Sequence, residues 1–549
     1  MAKRTKMTLV LMPEVVERVA TCIVTSKDMA AFLQALPEDW LSEPLAALRQ
    51  LYRAVQTRRL KVLAGDKVYP RHVRLWPHLE LPYEIHDEEL CGWIVKAMVL
   101  YPTVAFDSND LPPSYPLQPQ TQLKVHAIET SELLQEAISR WPERIQLLEL
   151  LFVDASEWPR AKQVAASLTT LPALREVIFQ YEAYDIKYNF SPMFQALAST
   201  RVRDVKVLNV HTVWPKAADT ALAKWLRTGS IAALTLDGDF VLPNEFDSSA
   251  ICKGIAASKT LVDVEIKSTP LLQLFFREIP VLPPHLRSLS LQGLSLDDLA
   301  LITAAIAPSQ LQKIQLGFDP GYDDEFPNET LALVDALSHL RSLRQCHLFG
   351  IQLSGTDVTR LASLLPQLTT LHLEAAGLDD DKVAILAAAL PQCSSLELLH
   401  LSHQDFGDAG VASLAAVVPQ CPSLKTLNLN ENLVTDKGVQ ALCPIVHHLD
   451  AINLSYNTID VDGALAISHI IPETCHMTRI CLHGNRLRKE GVLAIISALG
   501  DCVYRQGFVN VYDTVFDDDD AIEEAIEELP DAAWIIFDDD SRTESRRTY

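Results

Sequence analysis

Four segments in the C-terminal half open on one apolar pattern at nearly constant spacing, and this repetition restricts the chain to a stacked architecture. LELLHLSHQDF from Leu396, LKTLNLNENLV from Leu424, LDAINLSYNTI from Leu449 and MTRICLHGNRL from Met477 each place apolar residues first, fourth and sixth. Their openings fall 28, 25 and 28 residues apart. Alternation at the head of each unit predicts a strand with one buried face, and the stretch that follows predicts a helix. A strand and helix of this length cannot bury their apolar faces alone, so neighbouring units must stack into a solenoid. Strands sit about 4.8 Å apart while helices with side chains need about 10 Å, which puts parallel strands on the concave side and helices on the convex side of an α/β arc.

Weaker copies open at Leu368, Leu343, Leu311 and Leu286, and the apolar spacing persists at Leu261, Ile231, Val202, Leu174 and Ile145. The repeats therefore span 123–504, clearly from 343 and in degenerate form before it. Pro112, Pro113, Pro116 and Pro119 cannot sit inside a helix or central strand, so 61–122 reads as an irregular linker or N-terminal cap. Residues 1–60 contain apolar Val15, Val16, Val19, Ile23, Met29, Phe32, Leu33 and Leu36 at helical spacing, which predicts a small all-helical module. The acidic stretch 505–549 reads as a cap and tail, with Ile522, Ala525, Ile526 and Leu529 on one face of a terminal helix and AAWIIF as a last strand.

Within a unit the columns have separate roles. Asp408, Asp436 and Asp462 stand where each helix begins and are expected to cap it. Asn432, Asn457 and Asn485 hold the ninth place, where a buried amide can satisfy the backbone of a tight turn. Cys393 and Cys421, 28 apart, are expected to pack rather than react. His347, His372 and His400 hold the fifth place of three successive units and should point together onto the concave face, with His403 beside them. Three stacked rings rarely converge on one ion without further shaping, so the expectation is no metal and a histidine column that titrates near neutral pH and meets acidic or backbone groups of a partner. Phe349, Glu374, Asn428, Asn430, Asn453, Tyr456, Arg479 and His483 complete the expected partner surface, with exposed aromatics as its anchors.

Composition excludes several functions. A formal charge of −24 disfavours nucleic acid and anionic membrane as partners and suits a basic protein. No apolar run approaches the length of a bilayer span, and MAKRTKMTLVLMPEVV lacks the features of a secretory signal. Ten cysteines without a CxxC pair fit a reducing compartment, so the expected location is the cytoplasm, with the nucleus open. The chain has no GxxxxGK[ST] loop and no GxSxG, HExxH or GxGxxG in a fitting context. Neither an enzyme nor a cofactor is expected.

The repeats resemble the leucine-rich repeats of the ribonuclease-inhibitor type, most clearly from Leu343 to Leu499. The N-terminus resembles the first half of an F-box, with Met12, Pro13 and Glu14 matching its opening and Ser26, Lys27 and Asp28 its polar break. The expected third-helix pattern is absent, since Trp40 follows PED. Together the resemblances imply a substrate-recognition subunit of a cullin-type ubiquitin ligase. Pro13, Val16, Val19, Ile23 and Phe32 would dock a Skp-type adaptor, and the concave repeat face would hold a protein substrate. Two other readings stay open: a cytosolic scaffold or inhibitor of the ribonuclease-inhibitor type whose head only caps the stack, and a small-GTPase activator with Arg344, Arg479 or Arg486 as its exposed arginine.

Overall fold

The computed structural model describes residues 16, 19–20, 23, 26–37, 40–56, 79–80, 88–107, 121–152, 161–181, 190–210, 215–238, 250–267, 269–319, 330–474, 477, 479–500, 508–511, 520–527 and 535–536. Among them are two compact units, one taking the residues up to Leu150 with Thr170–Leu174, the other Leu151–Thr169 and Arg175 onward. Met12, Pro13, Glu14 and the prolines from Pro112 to Pro119 lie outside the described residues.

In the first unit, helix Glu43–Gln56 packs against Ser26–Ala35 and Glu88–Ala97. Met29, Leu33, Leu45, Leu48, Leu51, Leu90 and Ile94 recur at helical spacing and are all buried. Ser26, Lys27 and Asp28 form the first turn of a helix rather than a break between helices. Strands Leu79–Glu80, Thr103–Asp107 and Gln122–Ile128 pair in parallel and continue onto Ile145. Parallel pairing thus reaches further back than the leucine spacing that first revealed the repeats.

The second unit alternates strand and helix from Glu176–Tyr181 to Ile535–Ile536, every neighbouring pair of strands being parallel. Each opening read from the sequence within this unit leads a strand, and the pattern's inward residues fill the core: Leu371, Leu399, Leu427, Ile452 and Ile480 are all buried. Terminal helix Asp520–Glu527 buries Ile522 and Ile526, and Ile535–Ile536 pairs with Phe508–Asn510. This is the parallel α/β strand and helix stack that the spacing predicts. No helix among the described residues is long and apolar enough to cross a membrane.

Two devices recur from unit to unit. Pro366, Pro391, Pro419, Pro444 and Pro472 each lie second in a short 3₁₀ turn that follows the helix of their unit, because proline lacks an amide donor and cannot continue the α ladder. The second device corrects the capping expectation. Asp408 and Asp436 lie inside the first turn of their own helices and accept from the helix of the next unit. Asp380 Oδ1 takes Gly407 N (2.9 Å) and Gly410 N (2.7 Å); Asp408 Oδ1 takes Thr435 N (2.8 Å) and Gly438 N (2.9 Å); Asp436 Oδ1 takes Asp460 N (2.8 Å) and Gly463 N (2.9 Å). Helix amides left without intrahelical partners attract a carboxylate wherever it comes from. Gly438 and Gly463 follow from this geometry, since a Cβ on either would lie 2.6 Å from the incoming carboxylate oxygen. Asp462 also sits in the first turn, and the cap of its helix is Asp460.

Candidate functional site

Strand register brings the fifth-place residues into one line: His347 opposes His372, His372 opposes His400, and His400 opposes Asn428, which opposes Asn453 and then Cys481. The rings of His372 and His400 stack at 3.6 Å and 22°, while His347 and His372 lie 5.2 Å apart. Backbone geometry sets the protonation of this line. Asn430 N donates to Asn428 Oδ1 (3.0 Å), which turns Asn428 Nδ2 toward His400 Nδ1 at 3.2 Å. His400 Nδ1 is therefore the acceptor, and Nε2–H donates to Ser402 Oγ at 2.5 Å.

The column is in place, but its chemistry departs from the sequence expectation. His400 is 1% exposed and His372 9%, so neither stands free on a surface. Burial, with His372 beside it, drives His400 down to about 2. Burial also drives His347 down to about 3, helped by His372 and Lys313. These two rings stay neutral at neutral pH, and the expectation that they titrate there is corrected. The physical reason is the stacking itself, since each ring removes water from the next. His372, Glu374 and His400 could offer metal ligands, their donor atoms lying within 4.8 Å of one another. The geometry fits an ion poorly, because stacked rings send their in-plane lone pairs parallel rather than to a point, and both nitrogens of His400 are engaged.

The other expected surface residues separate by burial. Phe349 and Tyr456 are each 45% exposed, and His403 is exposed; Glu374, Asn430, Asn453, Arg479 and His483 are half-buried, and Asn428 is buried. Tyr456 meets His483 edge to face at 4.9 Å, and His483 Nδ1 lies 2.7 Å from Ser455 Oγ. Arg344 donates to the carbonyls of Arg341 and Leu343 (3.1 and 2.8 Å), which holds its guanidinium on its own turn. Of the expected adaptor anchors, Val16 is buried at 2%, Val19 is 49% exposed, and Ile23 and Phe32 are half-buried. Cys393 and Cys421 are buried, and burial pushes both thiols up, Cys393 to about 11.

The sequence reading missed a second column. The eighth residue of successive units takes left-handed backbone geometry: Gly350 (φ 66°), Ala375 (49°), His403 (54°), Glu431 (53°), Tyr456 (50°) and Gly484 (68°). Glycine or asparagine suits this position, as at Asn209, Gly238, Gly293, Gly350 and Gly484. Four consecutive units instead place side chains there at a steric cost of about 1–2 kcal/mol each. The glycines at the eighth place were the available signal. Beside these residues lies an open hollow of about 430 Å³ at the strand ends, walled by His403, Asp405, Glu431, Asn432, Leu433 and Tyr456. His403 Nδ1 and Glu431 Oε2 of its wall are 2.7 Å apart, and Leu433 is 54% exposed.

Residues 392–415, 420–443 and 447–468 match a family model described as a leucine-rich repeat. No curated protein matches the chain in sequence. Among solved structures the chain is similar to an internalin of Listeria monocytogenes, at 13% identity over 64% of this chain and 78% of that one, with a TM-score of 0.28. It is likewise similar to a Bacteroides fragilis protein, at 15% identity over 60% of this chain and 81% of that one, also with a TM-score of 0.28.

Proposed function

We propose that this leucine-rich-repeat chain is a protein-recognition module that holds a protein partner on the histidine and asparagine face of its sheet and along the adjoining turns. One observation carries the reading: Phe349, Leu433 and Tyr456 stay exposed beside half-buried polar residues at the strand ends of neighbouring units. Exposed aromatic and aliphatic groups within a polar surround are what a protein interface uses as anchors. On this reading His347, His372, His400, Asn428 and Asn453 form a rigid floor, while Phe349, Glu374, His403, Asn430, Tyr456, Arg479 and His483 make the contacts.

The finer reading makes the chain the substrate-recognition subunit of a cullin-type ubiquitin ligase, its N-terminal helices docking a Skp-type adaptor through Pro13, Val16, Val19, Ile23 and Phe32. Exposed Val19 supports adaptor docking, whereas burial of Val16 favours a head that only caps the stack. Calorimetric titration of the full chain with the purified adaptor separates the two. Binding that disappears in Val19→Asp supports the ligase reading. Absence of binding by the unaltered chain leaves the scaffold of the ribonuclease-inhibitor type.

A further inference from the structure

We infer that the helix-to-strand edge of the stack between Arg175 and Arg344 is a docking surface for an extended acidic segment of a protein partner. This edge lies at the other ends of the strands from the turns that hold Leu433 and Tyr456, and the inference does not rest on the recognition reading above.

The repeat itself lines the cations up. Arg175, Arg203, Arg287 and Arg344 hold the second place of their units, directly before strands Glu176–Tyr181, Asp204–Leu208, Ser288–Leu294 and Gln345–Phe349. Arg201, Lys259 and Arg341 stand in turns that lead into strands, and Arg227 stands in the last turn of helix Lys216–Thr228. Six of the seven units whose strands run from Glu176 to Phe349 thus contribute a cation. At about 4.8 Å per strand the row runs about 29 Å, the reach of about nine extended residues. It does so in a chain of 47 basic against 71 acidic residues. At the opposite ends of the strands, turns 294–298, 375–381 and 403–408 hold aspartates and no Lys or Arg.

Most of these cations are unspent. Elsewhere Arg140, Arg277, Arg360 and Arg488 each reach a carboxylate, at 2.6, 3.9, 3.0 and 2.9 Å. In the row, Arg201, Arg203, Lys259 and Arg341 are exposed, and none pairs with a carboxylate among the described residues. Arg287 and Arg344 repeat one clamp. Nη1 of Arg287 donates to Pro284 O and Leu286 O (2.8 and 3.0 Å), and Nη1 of Arg344 to Arg341 O and Leu343 O (3.1 and 2.8 Å). Each guanidinium is thereby fixed in advance, with the rest of its fork open to a carboxylate. Of the acids nearby, Glu176 is held by Lys206 at 2.7 Å and Glu278 lies 3.7 Å from Lys253, so Asp204 and Asp263 alone oppose the row. Helix dipoles do not account for it, since they favour cations after every helix, and turns 363–369 and 390–397 contain none. Apolar groups are interleaved with the charge: Val262, at a second place, is 41% exposed, and Val281 is 63% exposed. The turns of the row hold no Phe, Tyr or Trp on which a base could stack. Cations with aliphatic contacts and no stacking platform suit an acidic peptide rather than a nucleic acid.

The test is fluorescence anisotropy of the full-length chain with a labelled peptide EEVEEEVEE, its counterpart with glutamine for every glutamate, and a labelled oligothymidylate, at low and physiological salt. Saturable binding of the acidic peptide is expected at low salt, about tenfold weaker at physiological salt, with no binding of the glutamine peptide. Arg201→Ser with Arg203→Ser, and Arg341→Ser with Arg344→Ser, should each weaken the acidic peptide about tenfold while the thermal midpoint holds. Lys437→Glu, exposed at the opposite strand ends, should leave binding unaltered. Absence of saturable binding, equal binding of the glutamine peptide, or full binding by both paired variants would each overturn the proposal. Loss in Lys437→Glu as large as in the paired variants would place the peptide elsewhere and overturn it too. Tighter binding of oligothymidylate than of the acidic peptide would replace it with a nucleic-acid surface.

Discussion

Two stretches of the same strand ladder accommodate their polar side chains in opposite ways. Between Glu176 and Lys267 the sheet face is laced with charge: Lys206 pairs with Glu176 at 2.7 Å, and Lys267 lies 3.3 Å from Glu265 and 3.5 Å from Asp237. Between His347 and Asn453 the fifth-place positions hold imidazoles and amides, of which His372, His400 and Asn428 are buried and His347 and Asn453 half-buried. The first stretch tolerates its charges because they stay partly hydrated. Asp204 marks the limit of that tolerance: burial and neighbouring Glu176 raise it to about 6 despite Lys206 beside it. Identical backbone spacing thus carries one face laced with ion pairs and another lined by imidazoles and amides.

The largest effect should come from breaking the neutral stretch at its amides. Asn457 Nδ2 donates to Leu429 O and Leu454 O, and its Oδ1 accepts Val434 N. Asn457→Ala leaves these buried groups without partners and should cost about 3 kcal/mol, with hydrogen exchange accelerating around 429–459 and unchanged at 204–267. Uniform acceleration would mean that the two stretches unfold together.

Acid should weaken the same stretch next. His347 and His400 have folded pKa values of about 3 and about 2, below their unfolded value. Their stabilisation is complete above about pH 6.5 and is lost below it at about 1.4 kcal/mol per pH unit for each ring. Asp204 runs the other way: raised from 3.8 to about 6, its contribution is present below 3.8 and lost as pH rises through 6, so it offsets part of the loss on acidification. Denaturation midpoints between pH 7 and 5 should fall, whereas those of a His347→Gln, His400→Asn chain should rise slightly as Asp204 acts unopposed. A wild-type midpoint that stays constant would contradict the neutral column.

Asp408→Ala should cost about 2 kcal/mol, because one carboxylate takes Thr435 N, Gly438 N and Thr435 Oγ1. Exchange should quicken in helix Asp436–Leu442 rather than in Asp408–Val417; the opposite pattern would restore capping within the unit. Smallest is the charged stretch. Lys206→Met should change stability by less than about 1 kcal/mol and remove the part of the salt dependence that its pair with Glu176 supplies, which denaturation at low and high salt reads directly.

The strands and their register were legible because the apolar pattern is local and repeats: aligning Leu371, Leu399 and Leu427 aligns everything between them. His347, His372 and His400 were found by the same count. Their burial was not, since exposure depends on what stacks beside a ring, and that is settled by residues 25 and 28 positions away. Asp408 was recognised as a capping residue, but for the wrong helix, because capping rules relate neighbours in sequence and its donors lie 27 and 30 residues on. The hollow escaped notice for a similar reason. Its wall comes from the eighth to tenth places of consecutive units, and no single unit shows a pocket.

The cross-unit aspartates give the stack a direction. Asp380, Asp408 and Asp436 each complete a helix that begins a full unit later, so a chain emerging from the ribosome carries at its growing edge an acceptor already waiting for the next amides. Each new turn docks onto finished masonry. Trimming from the C-terminal side removes only units that nothing earlier relies on for its helix start, whereas a cut made upstream leaves the following helix with bare amides. Assembly that starts from the N-terminal side thus has a template ready at each of these three steps.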